Sequence, residues 1–157
     1  MSYRVCLVCL GNICRSPMAE VVLRKTLADH GLGDLVVVDS AGTGGWHQGD
    51  PMDRRASAVL TEYGYDGSAH RARQFLASWF GEVDLVLAMD VDNLRVLRRL
   101  APAGADVRLL RSFDPAAPRD AEVPDPYYGG RAGFTEVLEM VRAASEGLAK
   151  HLAATLR

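Results

Sequence analysis

The fold of this 157-residue chain is decided by residues 5–17, which read VCLVCLGNICRSP. The first four of these residues are apolar, a pattern typical of a strand that is buried in a parallel sheet. Residues 18–24 have the pattern of a helix, and we predict that Ser16 caps this helix and that Pro17 takes its first position. The stretch is therefore a predicted strand-to-helix turn. The free N–H groups at the N-terminus of such a helix point back over the loop and form an anion site.

The loop within this turn has a cysteine at one end and an arginine at the other. Five residues separate Cys9 from Arg15, and a loop of that length can close around one tetrahedral oxyanion. Cys9 would lie beneath the phosphorus, and the Arg15 guanidinium would bind two of its oxygens. Gly11 and Asn12 tolerate left-handed backbone angles, so the loop can turn successive N–H groups inward. Because the helix dipole and Arg15 favour negative charge, we expect a nucleophilic thiolate at Cys9.

The surroundings of this motif are more specific than its Cys-x5-Arg spacing. The sequence VCLGNICRSP after an apolar strand resembles the active-site loop of the low molecular weight protein tyrosine phosphatase family. This resemblance extends from Val5 to the last helix. It implies a phosphotyrosine phosphatase that needs no metal or cofactor. It also implies that phosphate or a similar oxyanion is held by Leu10, Gly11, Asn12, Ile13, Cys14, Arg15 and Ser16. The alternative is an ordinary turn with a small core cysteine.

Composition is that of an ordinary globular protein. Residues 1–157 are enough for one domain with a substantial core. The net charge of −2 argues against nucleic acid or an anionic membrane as the main partner. No apolar run approaches the roughly 20 residues of a spanning helix, and no signal peptide precedes the first strand, so we expect a cytoplasmic protein, active as a monomer. All three cysteines, Cys6, Cys9 and Cys14, lie near the N-terminus, which fits neither a disulfide framework nor a zinc site.

Apolar runs and helical patterns alternate along the chain. Strands are predicted at 3–8, 35–40, 84–89 and 107–110, and helices at 17–29, from near Asp53 to 63, at 74–80, after a cap at Asp92, and from 134 to 152. Connections of crossover length predict an α/β fold of three layers, with a parallel sheet and helices on both of its faces. The family resemblance implies the strand order 2-1-3-4, which places the Cys9 loop at the switch point where such sheets bind ligands. We interpret Arg95, Arg98, Arg99, Arg108 and Arg111 as solvated surface residues.

A candidate proton donor lies in the long segment 111–133, which is rich in proline and glycine. Loops of this length in a compact domain are usually functional. Asp125 stands between Pro124 and Pro126, and on its own an Asp-Pro pair is a turn signal. Beside a phosphate loop with a thiolate, Asp125 becomes a candidate general acid, and the resemblance implies the same role.

Together these residues suggest a two-step mechanism. The Cys9 thiolate attacks phosphorus in line while Arg15 and the loop N–H groups stabilise the equatorial oxygens. Asp125 protonates the leaving oxygen, and water then hydrolyses the phosphocysteine with Asp125 as base. Ser16 would hydrogen-bond the Cys9 sulfur and ease its departure.

The resemblance implies supporting roles for further residues. Ser40 and His70 would both brace Asn12, although a serine at a strand end can simply satisfy local backbone and a lone histidine is usually structural. Asp90 would order the loops near the site. Four side chains would form the substrate cleft: Leu10 at its mouth, and Trp46, Tyr127 and Tyr128 as walls. Stacking of an aryl ring against such walls favours phosphotyrosine.

Cys14 has two interpretations. It could simply fill the loop, or it could form a reversible disulfide with Cys9 and shield the nucleophile from over-oxidation. The family resemblance supports the second interpretation.

Two rival functions fit the same motif. A thiol-coupled arsenate reductase would pass a disulfide to later cysteines, and the sequence has none after Cys14. A phosphate- or phosphopeptide-binding module without catalysis would be expected to lose Cys9, Arg15 or Asp125. All three are present, so the sequence favours the enzyme.

Overall fold

A four-stranded sheet forms the middle layer of the computed structural model, which describes residues 2–156. Its strands are β1 (Tyr3–Cys9), β2 (Val36–Gly42), β3 (Leu85–Ala88) and β4 (Val107–Leu109). They lie in the order β2-β1-β3-β4, and every neighbouring pair is parallel. The predicted α/β class and the strand order 2-1-3-4 are both confirmed.

Four α-helices connect and flank the strands. They are α1 (Arg15–Asp29), α2 (Arg54–Glu62), α3 (Val91–Leu100) and α4 (Arg131–Leu156). Short 3₁₀ segments occur at Ala77–Gly81 and Leu110–Phe113. None of the helices in residues 2–156 combines the length and the apolar character that crossing a bilayer requires.

The alternation of side chains along β1 builds a separate core on each face of the sheet. Val5 and Leu7 belong to a large core that α1, α2 and α4 cover. Cys6 and Val8 point to the other face, where they pack with residues of α3 and with Phe75. Because successive residues of a strand alternate between faces, one apolar run supplies both cores. Helices therefore cover both faces, as predicted.

The start of α1 differs from the prediction. The helix begins at Arg15 with Cys14 in the N-cap position, so Pro17 is the third helical residue and not the first. Ser16 does not cap the helix, because its Oγ lies inside the turn, 3.0 Å from the Cys9 sulfur. The prediction that Ser16 caps the helix was wrong, because its hydroxyl contacts Cys9 and Asn12 within the loop.

The cap of α3 was also assigned to the wrong aspartate. Asp90 is the N-cap, and its Oδ1 accepts the Asn93 N–H at 2.8 Å. Asp92 lies two residues further on, in the first turn of the helix, where it is exposed and pairs with Arg95 at 3.6 Å. The reason is that β3 ends at Ala88, so the helix starts closer to the strand than the sequence pattern indicates.

Residues 74–80 do not form the predicted helix. Gln74 forms an isolated parallel bridge to Gly42, the last residue of β2, and the Phe75 N–H donates to the Gly42 carbonyl at 2.8 Å. Only residues 77–81 make a 3₁₀ turn. At the other edge of the sheet β4 is one residue shorter than predicted, because Leu110 already begins a 3₁₀ turn.

Gly147 marks a close backbone approach between α4 and the 3₁₀ turn after β4. A Cβ at this position would lie 1.7 Å from the carbonyl oxygen of Phe113. We expect Gly147→Ala to lower the free energy of unfolding by about 2–3 kcal/mol, because overpacking outweighs the gain of about 1 kcal/mol in helix propensity. Urea unfolding measures the difference. Gly133→Ala is the matched control, since its Cβ would make only ordinary van der Waals contact with Pro126, at 3.6 Å or more. Equal stability of the two variants would contradict the prediction.

Candidate active site

The loop between β1 and α1 curls around the Cys9 side chain. The Cys9 sulfur accepts the Asn12 N–H at 3.3 Å and lies 3.0 Å from the Ser16 Oγ. Asn12 has a φ of 59°, so this residue, and not Gly11, supplies the left-handed turn of the loop. The sulfur thus lies at the bottom of the loop, within hydrogen-bond distance of one backbone N–H and one hydroxyl.

Arg15 stands at the other end of the loop and is 2% exposed. Its Nη1 donates to Asp90 Oδ2 at 2.6 Å and to the Val123 carbonyl at 3.1 Å. Burial by itself lowers the pKa of Arg15, but negative charge at Cys9 and the hydrogen bond to Asp90 raise it above its ordinary value. The guanidinium therefore stays charged and is fixed in one orientation next to the sulfur. Asp90, expected to order the loops near the site, lies where it can do so.

Asn12 is the centre of a buried network behind the loop. Its Nδ2 donates to the Ser16 Oγ at 2.8 Å and to the Ser40 Oγ at 3.0 Å, and its Oδ1 accepts the Arg73 N–H at 3.0 Å. The carbonyl of Asn12 accepts a hydrogen bond from His70 Nε2 at 2.7 Å. The structure therefore brings Ser16, Ser40 and His70 together on one residue. A fully satisfied buried network of this kind rigidifies the backbone that it holds.

Glu20 extends this network and was missed in the sequence. The Ser40 Oγ donates to Glu20 Oε1 at 2.7 Å, and Glu20 also pairs with Arg24 one helical turn later at 2.7 Å. The only signal in the sequence is the Glu-Arg spacing of four on α1, which is common on exposed helix faces. That spacing could not indicate a link to the phosphate loop.

The pKa of His70 gives a pH-dependent prediction. Burial lowers the pKa of His70, while its hydrogen bond to the Asn12 carbonyl opposes the shift. The unfolded chain, with a histidine pKa of about 6.5, then binds the proton more readily than the folded protein does. We therefore expect stability to be complete above about pH 6.5 and to fall as the pH drops below that value.

Urea unfolding between roughly pH 5 and pH 7.5 measures this slope. His70→Gln is the matched variant, because its amide keeps a donor for the Asn12 carbonyl and has no proton to bind. Its stability should depend less steeply on pH over this range. Identical slopes for the two proteins would contradict the assignment.

Asp125 lines the same cleft as Cys9 and Arg15. Its Oδ2 lies 3.8 Å from the Arg15 Nη2, and its Oδ1 accepts the Tyr127 N–H at 3.1 Å. The side chain is 38% exposed, so it reaches both the cleft and solvent. A carboxyl group in this position can exchange a proton with a group bound above Cys9.

Arg55 attaches the Asp125 segment to α2, a contact that sequence reasoning missed. Its guanidinium lies 5.3 Å from the centre of the Tyr127 ring, and its Nη1 donates to the Gly129 carbonyl at 3.4 Å. Asp53, the cap of α2, accepts hydrogen bonds from the Arg55 Nε at 3.1 Å and from its Nη2 at 3.0 Å. Burial of Asp53 raises its pKa, but the hydrogen bonds from Arg55 outweigh this effect and lower the pKa. The pair therefore stays ionised at neutral pH.

The cleft has a volume of about 290 Å³ and brings together the predicted catalytic residues and the predicted cleft walls. It is lined by Cys9, Leu10, Gly11, Ile13, Cys14, Arg15, Trp46, His47, Asp125, Tyr127 and Tyr128. Trp46 and Tyr128 are 72% and 94% exposed, so they form the rim and are free to meet a ring entering the cleft. His47 is the one lining residue that the sequence did not suggest.

Cys14 lies in the same loop as Cys9 and is a buried thiol. Burial raises the pKa of Cys14, and the nearby Asp53 carboxylate adds to the effect. Cys6, on the opposite face of β1, is also a thiol, and burial raises its pKa to about 12. Cys14 therefore remains protonated at neutral pH.

The part of the chain at 2–156 has no group of three or more His, Cys, Asp or Glu side chains placed to hold a metal ion. The cleft instead offers donors that suit an anion: the Arg15 guanidinium, loop N–H groups and the N-terminus of α1.

Known proteins resemble this chain in both sequence and fold. The sequence model of the low molecular weight phosphotyrosine protein phosphatase family matches residues 4–157. A low molecular weight protein-tyrosine-phosphatase of Streptomyces coelicolor is 64% identical over 152 residues, which cover 94% of this chain and 92% of that relative. Low molecular weight protein-tyrosine phosphatase A of Mycobacterium tuberculosis is 48% identical over 92% of this chain and 88% of its own length. A crystal structure of protein tyrosine phosphatase from Entamoeba histolytica, with Hepes in the active site, has a TM-score of 0.93 at 36% identity, covering 99% of this chain and 100% of that one.

Proposed function

The chain belongs to the low molecular weight phosphotyrosine protein phosphatase family and is a phosphatase, and we propose that it hydrolyses phosphotyrosine in proteins through a phosphocysteine on Cys9. One observation carries this proposal: Cys9, Arg15 and Asp125 line a single cleft with aromatic walls. The sulfur can serve as nucleophile, the guanidinium as phosphate clamp and the carboxyl group as proton donor.

In the first step, the phosphate group of the phosphotyrosine binds in the loop, and two of its oxygens accept hydrogen bonds from the Arg15 guanidinium. The Cys9 thiolate attacks phosphorus from below, and the bond to the tyrosine oxygen breaks on the opposite side. Asp125, which lines the same cleft, donates its proton to the leaving oxygen, which departs as neutral tyrosine. Because Arg15 is already fixed by Asp90, its positive charge meets the transition state without reorganisation.

In the second step, water attacks the phosphocysteine from the side that tyrosine has left. Asp125, now ionised, takes a proton from this water, and the Cys9 sulfur leaves as a thiolate. The Ser16 hydroxyl lies 3.0 Å from the sulfur and stabilises the thiolate as it forms. Phosphate is released and the site returns to its starting state.

The cleft walls favour an aryl phosphate. Tyr127 and Trp46 offer ring faces along the path to Cys9, and Leu10 at 45% exposure adds an apolar contact at the mouth. A phosphotyrosine ring can lie between these side chains with its phosphate on the loop. Phosphoserine is too short to use the walls while its phosphate reaches the sulfur.

Hydrolysis of a phosphotyrosine peptide and of the matched phosphoserine peptide, in the presence of EDTA, tests the proposal. We expect turnover of the phosphotyrosine peptide without added metal and far slower turnover of the phosphoserine peptide. A protein that binds the phosphotyrosine peptide but never hydrolyses it would instead be a phosphopeptide-binding module.

Cys14 protects Cys9 through a reversible disulfide in this proposal. Peroxide oxidises the Cys9 thiolate to a sulfenic acid; the Cys14 sulfur then attacks it, and the thiol proton leaves with the hydroxyl as water. A small thiol reduces the disulfide and restores both cysteines. The support is that both sulfurs lie in one tight loop that lines the cleft.

Cys14→Ala should therefore lose activity to peroxide irreversibly, whereas dithiothreitol restores the wild-type protein after the same dose. Cys6→Ala is the matched control, because Cys6 is equally buried but lies on the other face of β1. It should recover as the wild type does. Full recovery of Cys14→Ala would overturn the protective role.

Residues 1–157 are proposed to act as one domain, without a cofactor and as a monomer. A thiolate nucleophile suits a reducing compartment, which supports a cytoplasmic site of action. Arsenate reduction stays disfavoured, because the sequence has no cysteine after Cys14 to receive the disulfide.

A further inference from the structure

A second cavity, of about 390 Å³, lies at the β4 edge of the sheet. Its walls come from α3, from β4 and from the segment 111–121 that follows β4. None of its lining residues also lines the catalytic cleft. The cavity is therefore a separate site within the described chain, and we refer to it as the β4-edge cavity.

Four arginines line the β4-edge cavity: Arg98, Arg108, Arg111 and Arg119. Arg108 is paired with Asp106, with its Nε 2.8 Å from the carboxylate. The other three form no ion pair within 4.0 Å among residues 2–156. Two aspartates, at positions 114 and 120, also line the cavity, so positive charge exceeds negative charge there.

Arg111 is not the solvated surface residue that the sequence suggested. It is half-buried, and its side chain donates one hydrogen bond among the described residues, from Nη1 to the Glu122 carbonyl at 2.9 Å. Its Nε is buried and has no hydrogen-bond partner in the described chain. A buried charged donor without an acceptor is costly, and Arg111 keeps this unsatisfied donor in the wall of a cavity that it lines.

The remaining walls are apolar. Leu94, Leu109, Ala117, Pro118 and Ala121 complete the lining. A volume of this size corresponds to a small-molecule pocket and exceeds what one phosphate group fills. Guanidinium groups bind phosphate oxygens with good geometry, and several of them in one concave site favour a ligand that carries several phosphates.

We propose that the β4-edge cavity binds a small oligophosphate, either free or as the phosphate chain of a nucleotide. The phosphate groups contact Arg98, Arg111 and Arg119. In a nucleotide, the nucleoside would lie against the apolar wall of the cavity. This site does not depend on the phosphatase chemistry proposed for Cys9.

Titration of the ¹⁵N-labelled protein with tripolyphosphate, followed by NMR, tests this inference. We expect saturable shifts of the amides of residues 111–121 and of the Arg111 Nε–H resonance, which reports on its guanidinium directly. Arg98→Ala combined with Arg119→Ala should weaken this binding at least about tenfold, because each substitution removes a charge-assisted hydrogen bond.

The matched control is Arg95→Ala combined with Arg99→Ala. Both arginines are exposed and lie on α3, as Arg98 does, but outside the cavity. Their removal changes the net charge by the same amount as the first double substitution. Binding to this variant should change less than about twofold. Shifts confined to the Cys9 loop, or an equal loss in both double variants, would overturn the proposal.

ATP and tripolyphosphate distinguish the two sources of the ligand. If ATP binds more tightly than tripolyphosphate, the nucleoside contacts the apolar wall. If the two compounds bind equally, the site recognises the phosphate chain alone. Failure of both compounds to shift residues 111–121 contradicts the site itself.

Discussion

Cys9→Ser is expected to abolish turnover while leaving the protein folded and able to hold phosphate. A serine hydroxyl ionises far less readily than a thiol, so it cannot replace the nucleophile even though it fills nearly the same space. Loss of a nucleophile costs roughly four orders of magnitude in kcat or more. The contacts around position 9 are those that an oxygen can also make, with the Asn12 N–H and the Ser16 hydroxyl.

The measurement is hydrolysis of an aryl phosphate by Cys9→Ser, with phosphate binding followed separately by ³¹P NMR. Cys6→Ala, three residues earlier on the same strand, is the control and should retain the turnover of the wild type. Measurable turnover by Cys9→Ser near the wild-type level would remove the sulfur from the mechanism.

Asp125→Ala is expected to reduce turnover by about 10²- to 10³-fold on substrates with poor leaving groups. On an aryl phosphate whose leaving group is already a stable anion, such as p-nitrophenyl phosphate, the first step needs little protonation. The loss should therefore be smaller there. This dependence on the leaving group separates a proton donor from a residue that only holds the loop.

Asp125→Asn sharpens the comparison. Its amide oxygen can still accept the Tyr127 N–H that the carboxylate accepts at 3.1 Å, but it has no acidic proton to give. We expect both variants to lose activity on phenyl phosphate to a similar extent. An Asp125→Asn protein as active as the wild type would show that position 125 only shapes the loop.

The sequence was informative where neighbours along the chain are also neighbours in space. The apolar run of β1, the Cys9 loop and the start of α1 form one continuous segment, so their geometry follows from local preferences. Periodicity likewise located the four strands and the main helices. The errors are the helix predicted at 74–80, where only a 3₁₀ turn forms, and two helix caps. Ser16 and Asp92 are residue types that often cap helices, but the caps are Cys14 and Asp90.

Contacts over long sequence separations were not predictable from the residues alone. Arg15 reaches Asp90 across 75 positions, and Arg55 reaches Gly129 across 74. Nothing in the local sequence of Arg55 or Arg111 distinguishes it from a solvated arginine. Arg55 has its partners because α2 packs against α4. The packing of β4 against the loop after it leaves the Nε of Arg111 without a partner among the described residues.

The central claim is that phosphate passes through a covalent bond to the Cys9 sulfur. Rapid acid quench of the wild-type protein during turnover of p-nitrophenyl phosphate, followed by mass spectrometry of the peptide that contains residues 9–15, tests it directly. We predict that this peptide carries one phosphoryl group on Cys9, and that the group is absent from Cys9→Ser. A steady-state reaction in which Cys9 is never phosphorylated, while phosphate is still released, would contradict the account.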